Sequence, residues 1–432
     1  MMIGFPALMY YFWVCLEYHQ GKLIYPTTLT SLSDIKSWLI EEIWKKMKLG
    51  AYPSRWAIQT YMGYVIFSFI LAAVMPGPVI EGLPIPSQNG QKLKYLCNGL
   101  SAWYVTLATS FVCHITGIFR LTHIIDHFGE LMTVAIIWGF VMSGLVYFIS
   151  YAMGKTHERK SGNFFYDYFM GVCLNPRIGV VDLKMWAEIR LPWPVLFYLS
   201  LSCLLKQYES YGTITAPAFF MMLAHFLYAN ACQKGEECIP TSWDIFYELD
   251  GFMLIFWNMA GVPFTYCYTS IYLMKYQLTS GEAITHSTPY TIAIYTILIL
   301  AYYVFDTGNS QKNRFRMEQH GTYIDRKAFP QLPWGRIKYP TYIKTENGNL
   351  LLTSGWWGYV RKPHYTADLF QALSWGLIAG FGSFLPYFYF CFFLCVLVHR
   401  VSRDMARCAQ KYGKDWNRYC ERVPYIFIPY IF

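Results

Sequence analysis

ELMTVAIIWGFVMSGLVYFISYA, residues 130–152, is the stretch whose reading decides the architecture. After Glu130 it carries no charged side chain, and an apolar run of about 20 residues is long enough to cross a bilayer as a helix. Comparable runs recur along the whole chain. The spacing predicts spans at about 2–17, 57–78, 101–119, 130–152, 191–206, 213–231, 251–273, 288–306, 367–381 and 384–399. Gly380, Gly382 and Pro386 interrupt the last two, which therefore read as a tight helical hairpin. The expected fold is an all-α integral membrane protein of about ten transmembrane helices. Residues 1–306 would supply the first eight spans and their loops. Residues 307–432 would supply a large loop, the hairpin and a tail, all within one integrated membrane domain.

Composition agrees with this. Of 432 residues, 55% are hydrophobic, 19% aromatic and only 14% charged, where a soluble domain carries about a quarter charged residues. The twelve cysteines are scattered, with no CxxC pair at metal spacing, and read as small apolar core residues. The net charge of +9 does not point to nucleic acid, because the basic residues sit in loops between apolar runs. The start, MMIGFPALMYYFWVCLEY, lacks a basic n-region and a small-residue cleavage site. It reads as a retained first span, with a longer polar N-terminus in the natural protein left open.

Loop charge sets the orientation. Residues 307–366 hold ten Lys/Arg, and residues 399–432 hold seven against three acids. Two spans separate them, so both belong on one face, which the positive-inside rule makes cytoplasmic. Counting back puts loop 153–190 on that face too, with Lys155, Arg159, Lys160, Arg177, Lys184 and Arg190. The acidic loop 232–250 falls on the same side. Segment 18–56 is basic yet falls on the opposite side. An interfacial helix around SDIKSWLIEEIWKKMK resolves that conflict.

Four segments carry polar groups in patterns that suggest chemistry. In TGNSQKNRFR, Lys312 and Arg316 lie four apart and share one face of a helix leaving the membrane. Such a pair can hold a phosphate or diphosphate, Arg bidentately and Lys as a point charge, or simply anchor the helix at the interface. LLTSGWWGYVRKPHYTADL, residues 351–369, places Trp357, Arg361, His364, Tyr365 and Asp368 where a span begins. Charged and imidazole groups at that depth are expensive and often functional. In HRVSRDMARCAQKYGKDWNRYC, Arg400, Asp404 and Arg407 repeat at helical spacing, followed by Tyr412, Trp416 and Tyr419; the bland alternative is a solvated helix flanking the membrane. LNPRIGVVDLKMWAEIR, residues 174–190, reads as a turn and an amphipathic helix lying against the membrane. Within the spans, His114, His225, Asn258 and Asp306 require polar partners.

Together these segments resemble the sterol reductase family, which includes the C-14, C-7 and C-24(28) reductases and the membrane part of the lamin B receptor. LLTSGWWGYVRKPHYTADL stands where that family has GLLxSGWWGxxRHxNYxGDL. LVHRVSRDMARCAQKYGKDWNRYCERVPYIFIPYIF stands where it has LxxHRxxRDxxRCxxKYGxxWxxYCxxVPYxIxPxIF. The resemblance runs from the first span to Phe432. It implies NADPH held at the cytoplasmic face of the endoplasmic reticulum membrane, with Lys312 and Arg316 as the phosphate pair and Trp357 beside the nicotinamide half. Arg400, Asp404 and Tyr412 match the cofactor residues of the tail, and Leu352, Arg361, His364, Tyr365 and Asp368 complete the cofactor set. FWNMAGVPFTY stands where the C-14 subgroup has FGDxxWVPFTY, which makes Asn258 a substrate-facing candidate. With RKPHYTA, this resembles the fungal C-24(28) reductases that end ergosterol synthesis.

An isolated alkene does not accept hydride directly, so a protein acid must first protonate it. The physical requirement is a buried tyrosine or a carboxyl of raised pKa, and the candidates are Tyr266, Glu237 and Asp244. Sterol from the bilayer is the expected partner. The alternatives are a C-14 or C-7 reductase, an isoprenylcysteine-type methyltransferase suggested by RKPHY, or a non-enzymatic sterol-binding scaffold.

Overall fold

A computed structural model describes residues 1–26, 31–325 and 328–431; parts of segment 18–56 and of loop 307–366, and Phe432, lie outside the described residues. The chain is predominantly helical, and among the described residues the strands form three two-stranded antiparallel hairpins. Among the described residues, five helices are long and apolar enough to cross a membrane: Arg55–Val74, Phe128–Ala152, Leu183–Tyr211, Thr288–Gln319 and Leu385–Tyr412. The other expected spans correspond to Gly4–Tyr18, Gly99–Ile115, Ala216–Lys234 and Pro363–Leu377, and to a broken run over 252–280. That run passes from Phe252–Phe256 through a π-helical turn, Trp257–Gly261, into Val262–Tyr266 and Tyr268–Ser280. A side chain at Gly261 would collide with the Trp257 ring, so glycine is required where the backbone bulges.

The chain divides into two compact units, Met1–Thr285 with Gly382–Leu385, and His286–Phe381 with Pro386–Phe432. The expected boundary at residue 307 falls inside one continuous helix, Thr288–Gln319.

In the first unit the interhelical loops sort to two ends. At one end the hairpin Val79–Leu96, residues 172–185 and the turn at 245–250 share apolar cores. Tyr95, Cys97, Met185 and Ile245 form one of these, and Ile85, Leu174 and Leu249 another. Gly171 has φ +96°, and Gly251 packs so closely on its backbone that neither position has room for a β-carbon. At the other end, Arg120 pairs with Glu209 at 2.9 Å and Lys206 with Asp126 at 2.7 Å, and Lys275 pairs with Glu17. Successive helices therefore run antiparallel, as short connections between spans dictate.

One expectation is corrected. Residues 183–190 do not lie on the membrane as an amphipathic surface helix. In Leu183–Arg190, Lys184, Met185, Trp186, Ala187, Ile189 and Arg190 are all buried. Asp182 caps the helix by accepting from Met185 N–H at 3.0 Å, and the two buried cations find partners inside the protein. Once its charges are matched internally, the polar stripe no longer needs water.

In the second unit, Thr288–Gln319 has 32 residues, or about 48 Å at 1.5 Å per residue, against about 30 Å of bilayer hydrocarbon. Its last turns therefore project beyond the apolar layer.

Candidate functional site

The second unit assembles its site on the projecting end of Thr288–Gln319. The Gly355–Gly358 turn docks there through both tryptophans. Trp356 Nε1 donates to Thr307 Oγ1 at 2.8 Å, and Trp357 Nε1 donates to the Gly308 carbonyl at 2.9 Å. Gln311 accepts from Trp356 N–H at 3.0 Å and donates to the Trp334 carbonyl at 2.8 Å. Gly355 has φ +63° and sits against the Gln311 side chain, so the turn needs glycine on both counts. This docking sets Lys312 Nζ 4.0 Å from the centre of the Trp357 ring, a cation–π contact. Leu352, on the hairpin Tyr342–Leu352, buries itself with Phe315 and Trp357 beneath them.

His364 continues the stack, 5.1 Å from Trp357 and 4.1 Å from Tyr365 between ring centres. Burial pushes its imidazole well below the usual range, and Lys312, Lys362, Arg400 and Arg316 add to the effect. These four cations thus converge on one histidine. The acid among them is Asp404, whose carboxylate forms an ion pair with Lys362. Helical spacing had put Asp404 between Arg400 and Arg407. Lys362, 42 positions away in sequence, was not singled out, although its place in RKPHY beside His364 was a usable signal.

The tail fixes this arrangement from below. Arg361 N–H donates to the Tyr425 carbonyl at 2.9 Å, and Lys362 N–H donates to the Ile426 carbonyl at 3.0 Å. The Arg361 guanidinium reaches the Pro424 carbonyl at 3.0 Å, and Thr366 Oγ1 reaches the Phe427 carbonyl at 2.7 Å. Residues 424–427 therefore act as a strap across the base of the cluster. Asp368 is buried one helical turn further on. Tyr412, at the end of Phe388–Tyr412, packs with Trp416 and Tyr419. Lys312, Leu352, Trp357, Arg361, His364, Tyr365, Asp368, Arg400, Asp404 and Tyr412 thus belong to one unit, and Arg316 lies on the exposed side of its helix.

The substrate and proton-donor candidates lie in the first unit, on different elements. Asn258 sits in the π-helical turn, and Tyr266 is buried one short helix later with its ring 6.1 Å from Trp257. Glu237 and Asp244 lie on the turns following Ala216–Lys234. Near them is a buried charge knot. Arg190 pairs with Glu236 at 2.5 Å and donates to Asn98 Oδ1 at 2.7 Å, while Glu236 also accepts from Gly99 N–H at 2.6 Å. Lys184 donates to the carbonyls of Ile245 at 3.1 Å and Glu248 at 2.7 Å. The carboxyl raised most plainly there is Asp250, pushed up to about 7 by burial, with Lys184 opposing and Asp182 reinforcing the shift. In the sequence Asp250 is simply the last acid of the acidic loop 232–250.

Comparison with known proteins follows this geometry. The profile of the ergosterol biosynthesis ERG4/ERG24 family matches residues 1–432. The chain is 45% identical to the Delta(24(24(1)))-sterol reductase erg4A of Aspergillus fumigatus over all of its length and 90% of that protein's. It is 43% identical to the Delta(24(24(1)))-sterol reductase of Gibberella zeae, over all of this chain and 71% of that protein. The Delta(14)-sterol reductase of Methylotuvimicrobium alcaliphilum is 37% identical, again over all of this chain and over 94% of the relative. With the match unbroken from the first helix to the tail, the chain belongs to the ERG4/ERG24 family of ergosterol biosynthesis.

Proposed function

We propose that this protein reduces the 24(28) double bond of a sterol side chain with NADPH, as a multi-pass enzyme of the endoplasmic reticulum membrane. The observation that carries the cofactor assignment is the gathering of cations in the second unit. Lys312, Lys362, Arg400 and Arg316 act on His364, and Lys362, Lys312 and Arg407 act on Asp404. A ligand with a diphosphate and a 2′-phosphate fits that donor set. The fit extends to His364, whose Nδ1 is buried with no hydrogen-bond partner among the described residues.

Lys312 and Arg316 would hold phosphate, and Trp357, held by Lys312 and the Gly308 carbonyl, would line the side that takes the nicotinamide half. Leu352, Arg361, His364, Tyr365 and Asp368 build the wall around it. Arg400, Asp404 and Tyr412 close the tail side, with Lys362 fixing Asp404. When bound, NADPH supplies the hydride. On the sterol, a proton delivered to C28 by Tyr266, Glu237 or Asp244 leaves a tertiary cation at C24, where a 22-ene delocalises it. C24 then accepts the hydride, and the acid regains its proton from water. Asn258 helps orient the side chain. The two Delta(24(24(1))) relatives favour this bond over the 14-ene.

The test is turnover by detergent-purified protein supplied with NADPH and a 24(28)-methylene sterol. Reduction at C24(28) is expected. Reduction of only a 14-ene or 7-ene sterol would overturn the substrate assignment. Binding of S-adenosylmethionine in place of NADPH would mark a methyltransferase, and sterol binding with no turnover a scaffold. The orientation with ten crossings puts residues 307–366 and the tail in the cytoplasm. A glycosylation acceptor inserted at Gly348 should then remain unmodified in the folded protein.

A further inference from the structure

Helix 32–50 plays no part in the chemistry above, and its apolar edge is left uncovered by the protein. It begins with a capping box, Ser31 accepting from Asp34 N–H while the Asp34 carboxylate accepts from Ser31 N–H, and it has no buried residue along its length. One polar edge turns toward the protein: Lys46 reaches His19 Nε2 at 2.7 Å and lies over the Tyr18 ring, and Glu42 lies 3.3 Å from the same imidazole. A second polar edge, with Glu41 and Lys45, is exposed. The far end is pinned where Gly50 packs on Trp13 and Gly129. Leu39, Ile40, Ile43, Trp44 and Met47 form the remaining edge and line a shallow groove of about 400 Å³ with no polar side chain. Leu39 is 47% exposed and Trp44 52%. A helix packed on a water-soluble protein buries such an edge.

We propose that helix 32–50 lies in the interfacial layer of the bilayer, with Leu39, Ile40, Ile43, Trp44 and Met47 against lipid acyl chains. Three observations favour lipid over a second copy of the chain. The helix ends five residues before the membrane-crossing helix Arg55–Val74, so it sits at the edge of the apolar layer. That neighbour likewise exposes apolar side chains, Ile58, Ile66 and Ile70. Trp44 with Lys48 over its ring is the pairing that the headgroup region accommodates, aromatic body inward and ammonium outward. The proposal also removes the charge conflict of segment 18–56. Four of its six Lys/Arg, Lys36, Lys45, Lys46 and Lys48, belong to this interfacial helix, where Lys45 pairs with Glu41 at 2.7 Å and Lys46 with Glu42.

The test uses the full chain in nanodiscs of palmitoyl-oleoyl phosphatidylcholine. A photoreactive benzoylphenylalanine replaces Leu39, Ile43, Glu41 or Lys45 one at a time, with Ile66 as the lipid-facing reference. Adducts are read by mass spectrometry on protein that still binds NADPH. Lipid adducts at positions 39 and 43, several-fold above those at 41 and 45 and comparable to position 66, are expected. Crosslinks from 39 or 43 to a second copy of the chain would overturn the proposal. So would equal lipid yields on both faces, or no lipid adduct at 39 and 43 where position 66 gives one.

Discussion

Two buried charge clusters, one in each unit, use the same residue types to opposite ends. In the first unit Arg190 is matched by Glu236 and Asn98, and Lys184 by two carbonyls with Asp182 and Asp250 nearby. Each buried base there has its partners within the protein, and the cluster ties the loops after three spans into one end of the bundle. In the second unit Lys312, Lys362, Arg316 and Arg400 act on His364, with Asp404 paired to Lys362. A paired knot is complete without a ligand. A gathering of cations is where a polyanion would be favoured, which is the basis of the proposed cofactor site.

The largest effect that can break this contrast lies in the paired knot. Arg190→Met strands Glu236 in a place where its side chain is 2% exposed, which costs about 3–5 kcal/mol. The expected outcome is a large loss of thermal stability in detergent, with normal NADPH affinity in whatever fraction folds. A well-folded variant with lost NADPH affinity would erase the distinction between the clusters.

Lys312→Ala should do the reverse. Losing one charge-assisted contact to phosphate weakens NADPH binding by about 1.5–3 kcal/mol, roughly ten- to a hundredfold, while melting temperature changes little. An unchanged Michaelis constant for NADPH in this variant and in Arg316→Ala removes both from the phosphate site. A smaller change is expected from Asp404→Asn and Lys362→Met, each lowering turnover at subsaturating NADPH by about tenfold, roughly 1.4 kcal/mol. Exposed ion pairs contribute only about 0–1 kcal/mol, so near-wild-type turnover in both would make the tail an ordinary membrane-flanking helix.

The smallest effect sharpens the comparison through pH. Asp250 has its folded-state pKa raised to about 7, above the unfolded value of about 3.9. Its contribution to stability is therefore full below the unfolded pKa and declines as pH rises toward 7. Lys184 offsets part of the burial effect within that value. Melting temperature followed over that interval should fall for the native protein and less for Asp250→Asn. Parallel profiles would show that Asp250 does not take up a proton in the folded state.

Much of the fold was legible because hydropathy is a local property. The apolar runs at 57–78, 130–152 and 288–306 became long helices, and Lys312 and Arg316 did ride out on the end of one of them. Residues 183–190 were misread for a specific reason. Their polar stripe looks the same whether it meets water or an internal partner, and only contact with Glu236, 46 positions from Arg190, decides which.

The sequence alone determined the membrane class and the family and supplied most of the residues proposed for the cofactor, since apolar run length and the two motifs are each written in contiguous stretches. Tertiary structure alone decided the partner of Asp404, the burial of Lys184 and Arg190, the strap of 424–427 beneath Arg361, and which edge of helix 32–50 is left uncovered. The physical reason is common to all four. Lipid-facing and protein-facing apolar residues read alike along a chain, and an ion pair is specified by two side chains that only folding brings together.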